Sequence, residues 1–349
     1  RDVWAGLEED RKNYFFIDSS GSFFAMKNIQ SITSAANPLI RLTHAIVHTQ
    51  RRAAKEGLFT VEGLRLAEMA AASDWRICHA FVTEQALRGE RGHVLADSLL
   101  ERDVPVYLVT EKLFQTFSDT DSPQGILLVM ERKQRISLDE MHAGAYGDEP
   151  PLYIALDRVQ DPGNVGTILR TADAIGATGA ILLHGSADIY SGKVVRATMG
   201  ALFHVPFAVH AAAEELTRFA QEKGIELLAT ACDAEARTHF EADLRRPAVI
   251  VFGNEANGVS EELLCASEHI YIPMRGHAES LNRSSRRPRS CMRHCASASI
   301  HEMRKGTAAR SFQLRATVPL CHVLFISAAW REAAPWRPVR WTHQWVPHP

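Results

Sequence analysis

The stretch LYIALDRVQDPGNVGTILRTADAIGATGAILLH, residues 152–184, decides the fold. It opens with an unbroken apolar run at 152–156, short as strands are and lacking the polar alternation of a half-exposed one, which predicts a strand buried on both faces. A turn with Gly163 and Gly166 follows, then a helical pattern over 165–176 and a second apolar run at 179–184. Strand, helix and strand in that order make a βαβ unit.

The same grammar continues downstream. Strands are predicted at 225–230 (IELLAT), 248–253 (AVIVFG) and 269–274 (HIYIPM), with helices near 192–202, 211–223 and 259–266. Short apolar strands separated by helices predict an α/β domain whose mostly parallel sheet is covered on both faces. Upstream, a polar connection carrying Gly144, Gly147, Pro150 and Pro151 marks a boundary. Before it, LFTVEG (58–63), ICHAFVT (77–83), VPVYLVT (104–110) and GILLVME (125–131) are strand-like. Apolar residues at helical spacing (Leu39, Leu42, Ile46, Val47), LRLAEMAAA (64–72) and residues 94–101 predict helices, so a small α/β domain precedes the larger one. The expected division is a leader (1–25), a first domain (26–133), a linker (134–150), a second domain (151–282) and a tail (283–349).

A chain of 349 residues with 46% hydrophobic and 23% charged residues has room for two domains with real cores. No run approaches the roughly 18–20 apolar residues of a membrane span, and a cytoplasmic protein is expected. Cys78, Cys232 and Cys265 stand singly, as reduced thiols do. Cys291, His294, Cys295 and His301 lack the second pair that a zinc site needs, so no metal is expected. The net charge of −2 conceals an asymmetry: residues 283–349 hold 12 Lys/Arg against 2 Asp/Glu, leaving 27 against 39 before them. An acidic body is unusual for a protein gripping nucleic acid through a broad basic face, so any such contact is expected from local clusters.

Three loops end the later strands, where open α/β sheets place their ligands. The first, DRVQDPGNVGTILRTADAIGA (157–177), offers Gly163 and Gly166 for close backbone approach, Asn164 as donor and acceptor or as helix cap, and Arg170 about two turns on. Its G-x-x-G spacing is not the dinucleotide fingerprint. The second, FGNEANGVSEELL (252–264), sets Glu255 between Gly253 and Gly258, with Ser260 as a candidate helix cap. The third, IPMRGHAESLN (272–282), ends in Ser280 and Asn282.

Taken in order, NVGTILRTADAIGA, FGNEANGVS and IPMRGHAESLN resemble the three motifs of the SpoU/TrmH family of RNA ribose 2′-O-methyltransferases, over most of residues 151–282. NPLIRL and LFTVEGLRLAEMA in the first domain resemble the substrate-binding domain of that family's ribosomal RNA branch. The resemblance implies a SPOUT α/β fold with a C-terminal trefoil knot, a homodimer, S-adenosylmethionine as cofactor, and large-subunit (23S-type) rRNA as substrate with guanosine the favoured nucleotide. By motif position it implies cofactor contacts at Gly253, Ile272, Met274 and Leu281, and a ribose-activating role for Arg170. Asn164, Glu255, Ser280 and Asn282 match the remaining polar positions. RNA phosphates are expected at Arg51, Arg52 and Lys55, and at Lys193 and Arg196, which lie about one turn apart in SGKVVRATMGALFHVPF (191–207). A solvated helix face is the alternative there, and a tRNA target the alternative for the substrate.

After Asn282 the chain departs from the family, which continues with a small-residue helix that closes the knot. Here RSSRRPRSCMRHC (283–295) stands instead, and Pro288 among arginines is incompatible with such a helix. The same nucleotides read two bases later can encode VVAAAAFLYEAL, the expected helix, so a frameshift just after Asn282 is expected. The alternative function is RNA binding by a chain that no longer catalyses, with the tail adding non-specific phosphate affinity.

Overall fold

The computed structural model describes residues 11–17, 23–133, 136–143, 150–231, 237–238 and 241–271, and they form two sheets, each covered by helices. The first domain runs β1 (Arg11–Ile17), β2 (Phe23–Ile32), α1 (Pro38–His48), α2 (Gln50–Glu56), β3 (Leu58–Glu62), α3 (Leu64–Ala72), β4 (Ile77–Thr83), α4 (Glu84–Leu87), α5 (Glu90–Glu101), β5 (Val106–Val109), α6 (Glu111–Gln115) and β6 (Ile126–Glu131). Its sheet has the order β1-β2-β5-β4-β6-β3. Asn37 starts α1 by accepting the Leu39 amide, with Pro38 at the first helical position. The helix then buries Leu39, Ile40 and Ile46 in a core shared with Phe81, Phe114 and Phe117.

The second domain comprises α7 (Leu138–Ala143), β7 (Leu152–Leu156), α8 (Pro162–Ala174), β8 (Gly179–Leu183), α9 (Gly192–Thr198), a 3₁₀ turn (Ala201–Phe203), β9 (Phe207–Ala211), α10 (Ala213–Lys223), β10 (Glu226–Thr230), β11 (Arg237–Thr238), β12 (Ala248–Phe252), α11 (Glu261–Ala266) and β13 (Glu268–Tyr271). Its strands order as β11-β13-β10-β12-β7-β8-β9, with parallel pairing throughout. The chain moves outward from β7 to β9, then crosses back beyond β12. The order therefore reverses between β7 and β12, the switch point where such sheets hold ligands.

The structure departs from the sequence expectations at four places. The first sheet begins inside the stretch set aside as a leader, because β1 pairs antiparallel with β2, and its sequence YFFI (14–17) is of residue types that favour strands. α7 lies within the expected linker, where Leu138 and Met141 are buried against Tyr153. The helix expected over 192–202 breaks after Thr198: Met199 and Gly200 have φ of 51° and 98°, and Met69 of the first domain fills the space a Gly200 side chain would need. Strand β9 carries no strand signal in that reading.

The two domains share one apolar core. Trp75 of the first is buried against Phe203, Phe207 and Tyr190 of the second, with ring centroids 5.4, 6.0 and 6.3 Å away, and Phe59 stands 5.1 Å from Tyr190. Burial pushes the Tyr190 hydroxyl up to about 12. Ion pairs occupy the margin: Arg132 with Asp188 (3.1 Å) and Arg196 with Asp119 (2.7 Å). Buried Glu62 prepares the second pair, since its oxygens accept Ser118 Oγ–H, Thr120 Oγ1–H and the Asp119 amide.

Candidate active site at the switch point

Beyond β7 the chain enters α8 through Asp161, whose carboxylate accepts the Asn164 amide at 2.9 Å, with Pro162 at the first helical position. The cap of α8 is thus Asp161, not Asn164. That frees the Asn164 side chain, itself 7% exposed, for another use. Its Nδ2 donates to Glu255 Oε1 at 2.8 Å, and Glu255 also accepts the Gln160 and Asp161 amides at 3.3 and 3.2 Å. Three donors from the β7–α8 turn converge on one carboxylate from the loop after β12, clasping the two sides of the switch point.

The loop carrying Glu255 is closed by its own backbone. Asn254 and Gly258 exchange both hydrogen bonds (3.0 and 2.9 Å), Asn254 Oδ1 accepts the Ala256 and Asn257 amides, and its Nδ2 donates to Arg158 O at 2.8 Å. A Cβ on Gly253 would stand 2.1 Å from the backbone of Gly258 and Val259, so only glycine fits. Beneath the loop, Asp157 is 3% exposed and accepts the Ser260 amide at 2.6 Å and Arg158 Nε at 3.2 Å. Ser260 precedes α11 as expected, but its hydroxyl makes no cap hydrogen bond; it is buried with no partner among the described residues.

Arg170 is partly exposed on α8, with no hydrogen bond or ion pair given to it among the described residues. Helical geometry sets it roughly 9 Å along the axis from Asn164 and about 120° around it, so the clasp does not include it. Gly166, between them, packs directly on Ala197 of α9. Arg196 is committed to Asp119 of the first domain, whereas Lys193 is exposed on α9. On α2, Arg52 pairs with Glu56 at 2.8 Å, and Arg51 and Lys55 are exposed. Ile272, Met274, Ser280, Leu281 and Asn282 lie outside the described residues, as do Cys291, His294, Cys295 and His301. Among the described residues no group of three metal-binding side chains occurs, and no helix is long and apolar enough to cross a membrane.

The sequence reading passed over Asp157, Asp161 and Asn254. Asp161 was recognisable, because an Asp followed by Pro just before an apolar-periodic run is a helix-start signature. The local turn that Asn254 forms with the Ala256 and Asn257 amides was legible in principle, but its bond to Arg158 O and the bond of Asp157 to the Ser260 amide were not, since those partners lie 96 and 103 residues away.

Comparison with known proteins adds the context. Residues 151–285 match the SpoU rRNA Methylase family and residues 37–128 the MRM3-like substrate binding domain. An uncharacterized tRNA/rRNA methyltransferase of Synechocystis is 34% identical over 73% of this chain and 89% of its own length. The 23S rRNA (guanosine(2553)-2′-O)-methyltransferase RlmP of Bacillus subtilis is 30% identical over 73% of this chain and 94% of its own. The crystal structure of an AdoMet-bound rRNA methyltransferase from Sinorhizobium meliloti superposes with a TM-score of 0.64 at 28% identity, covering 85% of this chain and 99% of that one.

Proposed function

The chain belongs to the SpoU rRNA Methylase family of RNA 2′-O-methyltransferases, whose cofactor is S-adenosylmethionine, and on that premise we propose that it methylates a ribose 2′-hydroxyl of large-subunit (23S-type) rRNA, at a guanosine, in the cytoplasm. The observation that carries this reading is the Asn164–Glu255 clasp at the switch point, because it joins two of the three family motifs across the crevice that receives ligands. The rRNA target draws support from the substrate-binding match in the first domain and from RlmP.

The cofactor would supply a methyl group on a sulfonium. The described side of its site fits that role, since the Gly253 turn presents backbone at the end of β12 and the buried Ser260 hydroxyl has no partner among the described residues. Ile272, Met274 and Leu281 are assigned to the other side. Glu255, with both oxygens taken up by three donors, positions the Gly253–Gly258 loop against α8. Arg170 would hold the 2′-oxygen and stabilise the negative charge that grows on it as its proton passes to water, a role open to a cation with no ion pair among the described residues. Ser280 and Asn282 complete the polar set. With the reading frame after Asn282 restored, the small-residue helix of the family would close the trefoil knot and supply the homodimer face.

A second reading is favoured by one observation: the family match stops at residue 285, just beyond the departure after Asn282. In it the chain binds RNA without methylating it, and the frameshift explains why. Transfer of tritiated methyl groups to 23S-type rRNA separates the two. The first expects incorporation lost on Arg170→Ala, by about a hundredfold or more. The second expects none until the reading frame after Asn282 is restored, and resequencing those codons without finding a shift defeats the frameshift.

A further inference from the structure

We propose that His184 and His210 form a stacking platform for an unpaired nucleobase of the RNA strand, beside the nucleotide held at the switch point. The proposal rests on the RNA-methyltransferase reading above and adds a base-binding site to it.

Both imidazoles are exposed at the C-terminal rim of the second sheet, with centroids 5.8 Å apart and planes only 30° from parallel. The backbone is shaped to present them. β8 and β9 pair Leu182 with Val209 and then Leu183 with Ala211, which makes His210 an extra residue in the ladder, with φ of 55°. A bulge of this kind re-aims one side chain, and a left-handed backbone on a residue other than glycine is strain of the sort found at functional sites. The His184 amide donates to Ala211 O at 3.1 Å, so the same bulge fixes the second ring.

Position favours RNA as the occupant. Along the rim come Gly253 after β12, Arg158 after β7, His184 after β8 and His210 in β9. Neighbouring strands lie about 4.8 Å apart, which sets the two rings roughly 5 and 10 Å beyond β7, on the side away from the Gly253 loop assigned to the cofactor. Rings rather than charges are what this rim offers. Arg158 is paired with Asp157, Arg132 with Asp188 and Lys133 with Asp74, so each nearby cation already has a carboxylate. Single-stranded RNA is commonly held by stacking its splayed bases on aromatic side chains, histidine included.

The test measures binding of the full chain to single-stranded oligouridylate and to an abasic ribose-phosphate oligomer of the same length. His184→Ala and His210→Ala should each weaken oligouridylate binding about tenfold while leaving the abasic oligomer unchanged. His210→Gly, which relaxes the backbone, should reproduce the loss at a melting temperature no lower than that of the unaltered chain, and His210→Phe should retain binding. The proposal is overturned if the alanine variants bind oligouridylate as the unaltered chain does, if they weaken both oligomers equally, or if Phe fails as Ala does. An unaltered chain that binds both oligomers alike overturns the platform and leaves the methyltransferase reading standing. One that binds neither also overturns the platform, while the methyltransferase reading stands or falls on the transfer of tritiated methyl groups.

Discussion

The seam between the domains and the clasp at the switch point are built from opposite materials. At the seam, Trp75, Phe59, Tyr190, Phe203 and Phe207 interlock, and charge is kept to the margin. At the clasp, Glu255, Asn164, Asp161, Asn254 and Asp157 meet almost entirely through hydrogen bonds. Apolar contact is non-directional and scales with area, so the seam sets how firmly the domains hold together. Hydrogen bonds contribute modest net stability but fix geometry, so the clasp sets where the site's atoms stand.

That division can be broken experimentally. Trp75→Ala should produce the largest loss, about 3–5 kcal/mol of unfolding free energy, read from denaturant melts. A loss below about 1 kcal/mol would mean that the seam is not the main tie.

Acid comes next. Burial holds the His79 ring neutral in the first sheet, its pKa pulled down to about 4. Between pH 6.5 and 4 the unfolded chain takes up a proton that the folded chain refuses. Stability is therefore intact above pH 6.5 and declines by about 3 kcal/mol as the pH falls to 4. His79→Phe should flatten that decline in a pH series of melts, and an unchanged slope would assign the acid sensitivity elsewhere.

Glu255→Gln should cost about 1–2 kcal/mol at most, because one acceptor survives. Methyl transfer should nevertheless fall about tenfold, since the loop loses its fixed position. The reverse pattern, a large drop in melting temperature with full activity, would make the clasp a stability element after all. Asp119→Asn should matter least: a partly exposed ion pair contributes about 0–1 kcal/mol, and the amide can still accept from Arg196. If it destabilised the protein more than Trp75→Ala, the seam would be held by charge.

The same contrast explains what was legible in the sequence. β7, β8, β10 and β12 announce themselves as apolar runs because both faces are covered. Asn164, Glu255 and Gly253 stand out in the sequence through their motifs, and the structure joins the first two directly. α7 was hidden by the Gly and Pro residues that follow it. Nothing near Arg196 could disclose its engagement, because Asp119 lies 77 residues away on the other domain. Long-range pairing of this kind has no local signature.

The topology also imposes a timetable. β7 pairs on one side with β8, a short distance along the chain, but on the other with β12, and Glu255 comes 95 residues after the Gln160 amide it accepts. At about 5–20 residues per second on the ribosome, roughly 5–20 s pass between synthesis of the two halves of the site. Throughout that interval one edge of β7, with its backbone N–H and C=O groups unpaired, waits for β12 and is open to other chains. Selection on this molecule therefore acts on a newborn chain that must keep one edge covered, as well as on the finished protein.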